Sequence, residues 1–97
     1  MQIKDNTLYV DGPVTPERTV ELDELVMELC RQDFPEIVVD ITKTTYLCSI
    51  ARGALLAAHF LLNSSKRKLM LRLTKESLPL IEFARLDKIF NLLIIET

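Results

Sequence analysis

Few side chains in this sequence have reactive chemistry to offer. They are Cys30 and Cys48, the single histidine His59, and hydroxyls led by Ser49. Cys48 stands where a helix begins, and the positive end of a helix dipole lowers a thiol pKa, so thiol-based redox or nucleophilic chemistry is one reading of it. No Cys-x-x-Cys pair supports that reading, and a lone cysteine ordinarily behaves as a small apolar residue. A zinc site would have to gather Cys30, Cys48, His59 and a carboxylate, and their spacing follows no ligand pattern. His59 reads instead as a surface residue on the polar edge of its helix. Ser49 suits the cap of that helix, with phosphorylation as its second role. Lys66-Arg67-Lys68 reads as a solvated loop cluster. With Gly12 and Gly53 the only glycines, the chain has no glycine-rich phosphate loop. Asp23 and Glu24 fall on exposed helix surface, away from any cleft a general acid and base would need. The expectation is no catalytic residue, no metal and no cofactor.

These residues depend on a regular succession of elements. Thr7–Asp11 alternates as a strand, with a short Gln2–Lys4 strand paired to it across Asp5-Asn6. Thr15 and Pro16 open a helix whose Leu22, Leu25, Val26 and Leu29 share a face, and which stops near Gln32 ahead of Pro35. Glu36–Ile41 is a strand rich in β-branched residues, followed by a polar loop. A second helix runs from Ser49 to Asn63 and a third alternating strand spans Lys68–Leu73. A helix from Glu76 or Ser77 to Ala84 follows, then a further turn over Leu86–Phe90 and a last strand at Leu92–Ile95. The order predicts an α/β fold, a mostly parallel sheet of four or five strands with right-handed crossovers. Alternation within the strands, apolar on one side and charged on the other, places the helices mainly on one face and disfavours a doubly wound nucleotide-binding sheet.

Ninety-seven residues make a single domain over 1–97. Hydrophobic residues are 48% of the chain and charged residues 27%, a globular balance. The formal net charge of −2 provides no field for nucleic acid or an anionic membrane. Neither a signal peptide nor a membrane span is expected, and two cysteines without a pairing pattern suit a reducing cytoplasm.

The second helix is more apolar than a core requires. Its apolar residues fill an arc of roughly 220°, where a surface helix needs a stripe of about 100°. Burial between the sheet and neighbouring helices is one use of the surplus. The other is a patch of Ile50, Gly53, Leu56 and Ala57 left for a partner or a second copy.

Three stretches carry a resemblance: Asp11-Gly12-Pro13-Val14-Thr15; Val38-Val39-Asp40-Ile41 with Tyr46-Leu47-Cys48-Ser49-Ile50-Ala51-Arg52-Gly53; and Phe83-Ala84-Arg85-Leu86-Asp87-Lys88-Ile89-Phe90. In order and spacing the chain resembles a STAS domain, the fold of bacterial anti-sigma-factor antagonists, over nearly its whole length, without the family's usual final helix. The resemblance implies docking to a kinase-like anti-sigma factor, released when the second Ser of an Asp-Ser-Ser-Gly motif is phosphorylated. Here that motif is Cys48-Ser49-Ile50-Ala51, so the phospho-acceptor position lacks a hydroxyl. Other STAS domains are subunits of transport assemblies. The expectation is therefore a non-enzymatic protein-docking domain of a bacterial partner-switching or regulatory pathway. Its surface would centre on Cys48, Ser49, Ile50, Arg52, Gly53 and Leu56, flanked by Thr44, Thr45 and Tyr46 on the preceding loop, with Arg52 fixing orientation. A structural subunit or homodimer burying the same patch is the first alternative. A thiol-based protein using Cys48 is the second.

Overall fold

A computed structural model describes residues 1–96, apart from the side chain of Ala84. The elements are β1 (Gln2–Lys4), β2 (Thr7–Val14), α1 (Pro16–Cys30), β3 (Glu36–Leu47), α2 (Ser49–Ser64), β4 (Lys68–Leu73), α3 (Pro79–Glu82), a 3-10 segment (Phe83–Lys88) and β5 (Asn91–Ile94). They form one domain around a five-stranded sheet ordered β1-β2-β3-β4-β5. β1 is antiparallel to β2, and every later pairing is parallel.

This order fixes where the helices go. Each crossover advances the sheet by one strand in the same direction, so crossovers of one hand must all fall on the same face. Leu8, Val10, Ile37, Val39, Ile41, Leu69, Leu71 and Leu73 point to that face. They join Leu22, Val26 and Leu29 of α1, Leu55 and Leu62 of α2, and Ile81, Leu86 and Phe90 in one core. Val38 is also buried but lies outside that core, on the opposite face. The strand order never reverses, so the sheet has no switch point of the kind that opens a ligand crevice at strand ends.

Several elements differ from the sequence expectation. β3 runs through Thr42–Leu47, so Thr44, Thr45 and Tyr46 extend a strand and do not form a loop. Its threonines are β-branched, and β2 lengthens to Val14 to pair with them. Register shifts at Tyr9/Asp11 and Gly12/Pro13, with Gly12 at φ +65°, let Pro13 sit in a strand. The third helix is only four residues long before it tightens into the 3-10 segment, where Arg85 takes φ +61° and breaks the helical path. α1 ends at Cys30, and α2 reaches Ser64.

The connection from α2 to β4 is fastened by Arg67. Its Nε donates to Phe34 O at 2.8 Å, Nη1 to Cys30 O at 3.0 Å, and Nη2 to Gln32 O. One guanidinium thus holds the last carbonyl of α1 and the two connecting carbonyls beyond it. Arg67 is half-buried structure, contrary to the expected solvated cluster.

Candidate functional site

The strand-to-helix turn at the start of α2 is tightly bound to the domain. Cys48 N donates to Val14 O at 3.1 Å, which ties the turn to the end of β2. With β3 reaching Leu47, Cys48 takes the cap position and Ser49 becomes the first helical residue, exposed and not the cap that was expected. The Cys48 side chain is 4% exposed, its Sγ 3.2 Å from Thr19 Oγ1 of α1. Burial pushes its pKa up, but the Thr19 hydroxyl and the N–H groups at the helix start outweigh that and leave it below the ordinary value. Cys30 goes the other way, raised by burial although the Arg67 charge opposes it. Both cysteines are free. A thiol as enclosed as Cys48 cannot touch a partner or a bulky substrate unless the domain opens locally.

Two other residues expected on the docking surface are engaged within the chain. Thr44 is buried and donates to Val10 O at 3.2 Å. Arg52 folds back so that Nη1 donates to Leu47 O at 2.8 Å, and its guanidinium carbon lies 4.8 Å from the Phe83 ring centre, a cation–π contact. Its charge fastens α2 to the 3-10 segment and is not free to orient a partner. Leu56 is half-buried against the core.

His59 also departs from expectation. It is 4% exposed, with its ring edge-on to Phe60 and Phe90 at 5.2 and 5.6 Å. Nε2 lies 3.2 Å from Asn63 Nδ2, whereas Nδ1 has no partner. Desolvation holds its pKa below the ordinary histidine value. The edge of α2 that looked solvent-facing is covered at His59 by Phe90, which follows the 3-10 segment.

What remains exposed on α2 is the side opposite its buried Ala51, Leu55, Ala58 and Leu62. Ile50 is 61% exposed, Phe60 55% and Leu61 47%, with Gly53 and Ala57 exposed among them. Gly53 is in helical conformation and a methyl placed there would touch nothing within 4 Å. No charged side chain stands on this outer face, since Arg52, the one Asp, Glu, Lys or Arg of α2, is turned away. Tyr46 at the end of β3, Val20 on α1 and Phe83 add exposed apolar surface, at 50%, 63% and 65%. The helical arc pointed to Ile50, Gly53 and Ala57. Phe60 and Leu61 belonged to the same arc, but only the positions of the flanking helices show that they stay uncovered.

The uncovered sheet face bears a second polar arrangement. Asp40, 7% exposed, accepts from Thr42 N at 2.9 Å and Thr42 Oγ1 at 2.6 Å through one oxygen, and from Arg72 at 3.2 Å through the other. Beside it lies a shallow hollow of about 510 Å³ lined by Tyr9, Asp11, Asp40, Thr42 and Lys43. Both Asp40 oxygens are occupied within the chain, so the carboxylate has the surroundings of a structural ion pair. Among the described residues, no group of three or more His, Cys, Asp or Glu side chains converges as a metal site would require, and no helix is long and apolar enough to cross a membrane.

No protein-family model matches the chain, and no curated protein matches it significantly.

Proposed function

We propose that this chain is a non-enzymatic docking domain of the cytoplasm that binds another protein through the outer face of α2. The observation carrying this reading is the uncharged outer side of that helix, where Ile50, Phe60 and Leu61 are about half or more exposed around Gly53 and Ala57. Interface cores are depleted of charge in this way, and rims are not. The surface therefore starts at Ser49 and Ile50 and runs along the helix through Gly53, Ala57, Phe60 and Leu61. Cys48 and Thr44 are buried and take no part in it, while Thr45 and Tyr46, exposed at the end of β3 just before the helix, would flank it. The resemblance to anti-sigma-factor antagonists supports a regulatory, partner-switching role, with one consequence of its own. Ile50, at the position of the phospho-acceptor, is exposed and permanently apolar, so phosphate at that position cannot release the partner. That same feature favours the second reading, a structural subunit that holds its partner constitutively.

The test is affinity capture from the native cell with wild type and Ile50→Asp. Because Ile50 is exposed in the domain, the variant folds, which circular dichroism checks. A carboxylate placed in an apolar contact is costly, so retention should fall at least about tenfold. Capture of the same proteins at the same level by both would place docking elsewhere.

A further inference from the structure

His59 is enclosed between α2 and Phe90, in surroundings that suit only the neutral ring. It is 4% exposed, and its hydrogen-bond partner among the described residues is the side-chain amide of Asn63, 3.2 Å from Nε2. That amide can turn either its NH2 group or its oxygen toward Nε2, so the neutral ring keeps the bond in either tautomer. The cation is different. It carries two N–H donors, the amide oxygen can take only the Nε2 proton, and Nδ1 is enclosed with no acceptor. A buried charged donor left unpaired is costly, and water removes that cost once the ring leaves. We infer that His59 is an acid-sensitive latch, whose protonation drives the ring out of this site and frees the stretch from Phe83 to Phe90 from α2.

Among the described residues no carboxylate pairs with the ring to hold the cation in place. On α2 itself Arg52 is cationic and donates to Leu47 O. Beyond the helix, Glu82, Arg85 and Lys88 are exposed, and Asp87 lies 4.0 Å from Lys88 Nζ. β5 carries no charged residue over Asn91–Ile94, and Lys68 and Arg72 of β4 alternate onto the sheet face opposite the helices. The acidic residues of α1 belong to the helix packed along the other side of α2. Burial therefore sets the basicity of the ring, below the ordinary histidine value. The stretch it holds is joined to α2 by side chains. Phe83 lies 4.8 Å from the Arg52 guanidinium carbon and Phe90 5.6 Å from the His59 ring centre. Between them the chain is 3-10, a geometry with poorer hydrogen bonds than an α-helix, and Arg85 at φ +61° interrupts it. Expelling His59 removes the partner of Phe90 on α2 and leaves the exposed contact of Phe83 with Arg52. Such a latch works whatever the outer face of α2 binds.

The test is amide hydrogen exchange of the full chain by NMR at pH 7.5 and pH 5, with rates corrected for the intrinsic effect of pH. The amide to follow is that of Phe90, which donates to Leu86 O at 3.0 Å. With a value near 6.5 for the released imidazole, its exchange should accelerate by about fivefold to thirtyfold on going to pH 5. A latch opens locally and exposes little surface, so about 0.5 M urea should leave that exchange unchanged while it speeds the amides of β3, which open with the whole domain. His59→Leu should abolish the acceleration, and His59→Gln, a polar side chain that cannot titrate, carries the same test where leucine disturbs the packing. Exchange at Phe90 that ignores pH, or that accelerates equally in both variants, overturns the inference. So does acceleration that appears only with the urea dependence of β3, since His59 then weakens the whole domain and releases no segment. A His59 ring whose NMR signals titrate while the Phe90 amide keeps its protection overturns it too, because the cation is then accommodated in place against the neighbouring rings.

Discussion

Arg67→Ala should destabilise the domain far more than a loop substitution would. The guanidinium makes three hydrogen bonds to backbone carbonyls, to Phe34 at 2.8 Å, Cys30 at 3.0 Å and Gln32. A hydrogen bond to a charged group contributes about 1.5–3 kcal/mol when it is sheltered. Here the side chain is only half-buried, and water can reach the freed carbonyls, so about 1 kcal/mol per bond is the better figure. The total of about 2–3 kcal/mol is a large share of the roughly 5–15 kcal/mol that holds a domain of this size together. It corresponds to a fall in Tm of about 10–20 °C. Arg67→Lys keeps the charge but offers one compact donor group in place of a planar fork, and should recover about 1 kcal/mol. Urea unfolding followed by circular dichroism reads both variants, with a lower midpoint and an unchanged m-value as the expected signature. An Arg67→Ala protein within about 0.5 kcal/mol of wild type would show that the clamp carries no weight. Equal stability of Arg67→Lys and wild type would show that charge alone, and not the fork, matters.

Two further outcomes concern titration. Burial lowers the pKa of His59 in the folded protein, so the unfolded chain binds more protons at mildly acidic pH. Stability is then complete above the unfolded value near 6.5, falls as pH drops below it and levels off beneath the folded value. The slope reaches at most about 1.4 kcal/mol per pH unit. His59→Leu should flatten the urea-midpoint profile between about pH 7 and 5, and parallel profiles for the two proteins would exclude His59 as the cause. The Cys48 thiol should titrate below the ordinary cysteine value yet react slowly, because it is 4% exposed. In a Cys30→Ser background, thiolate absorbance against pH measures it, and Thr19→Val should move it upward. A pKa at or above the ordinary value would show that burial dominates over the Thr19 hydroxyl and the helix amides.

The framework was legible because its signals are local. Thr15-Pro16 opens α1, and the Leu69, Leu71 and Leu73 alternation defines β4 and its core side. Strand alternation also leads to Asp40 and Arg72 sharing one sheet face, where they form an ion pair. What escaped the sequence depends on neighbours. Thr42–Tyr46 looks like a polar loop until β2 extends through two bulges to pair with it. That extension takes Thr44 inside and shifts the cap from Ser49 to Cys48. His59 belongs to the polar edge of a helical wheel, but the wheel does not show that the 3-10 segment brings Phe90 against that edge. Arg67 looked like a solvated loop charge because its acceptors are main-chain carbonyls more than 30 residues away, which no side-chain pattern reveals.

The position of α2 within the helix layer separates the apolar surface the fold needs from the surface it does not. α1 packs along one side of α2, while Phe83 and Phe90 meet its other side at Arg52 and His59, so an unusually broad part of its circumference is enclosed by the fold. That accounts for Leu55, Ala58, Leu62 and even His59. It does not account for Ile50, Phe60 and Leu61, which stay about half or more exposed. Nor does it account for Gly53, since alanine would fit there and a mid-helix glycine is less favourable than alanine by about 1 kcal/mol. A helix under selection for monomer stability alone would carry Lys, Glu or Ala at these positions. Apolar bulk beside a missing side chain is what close contact with another backbone requires. The outer face of α2 is therefore the surface on which the proposed docking rests.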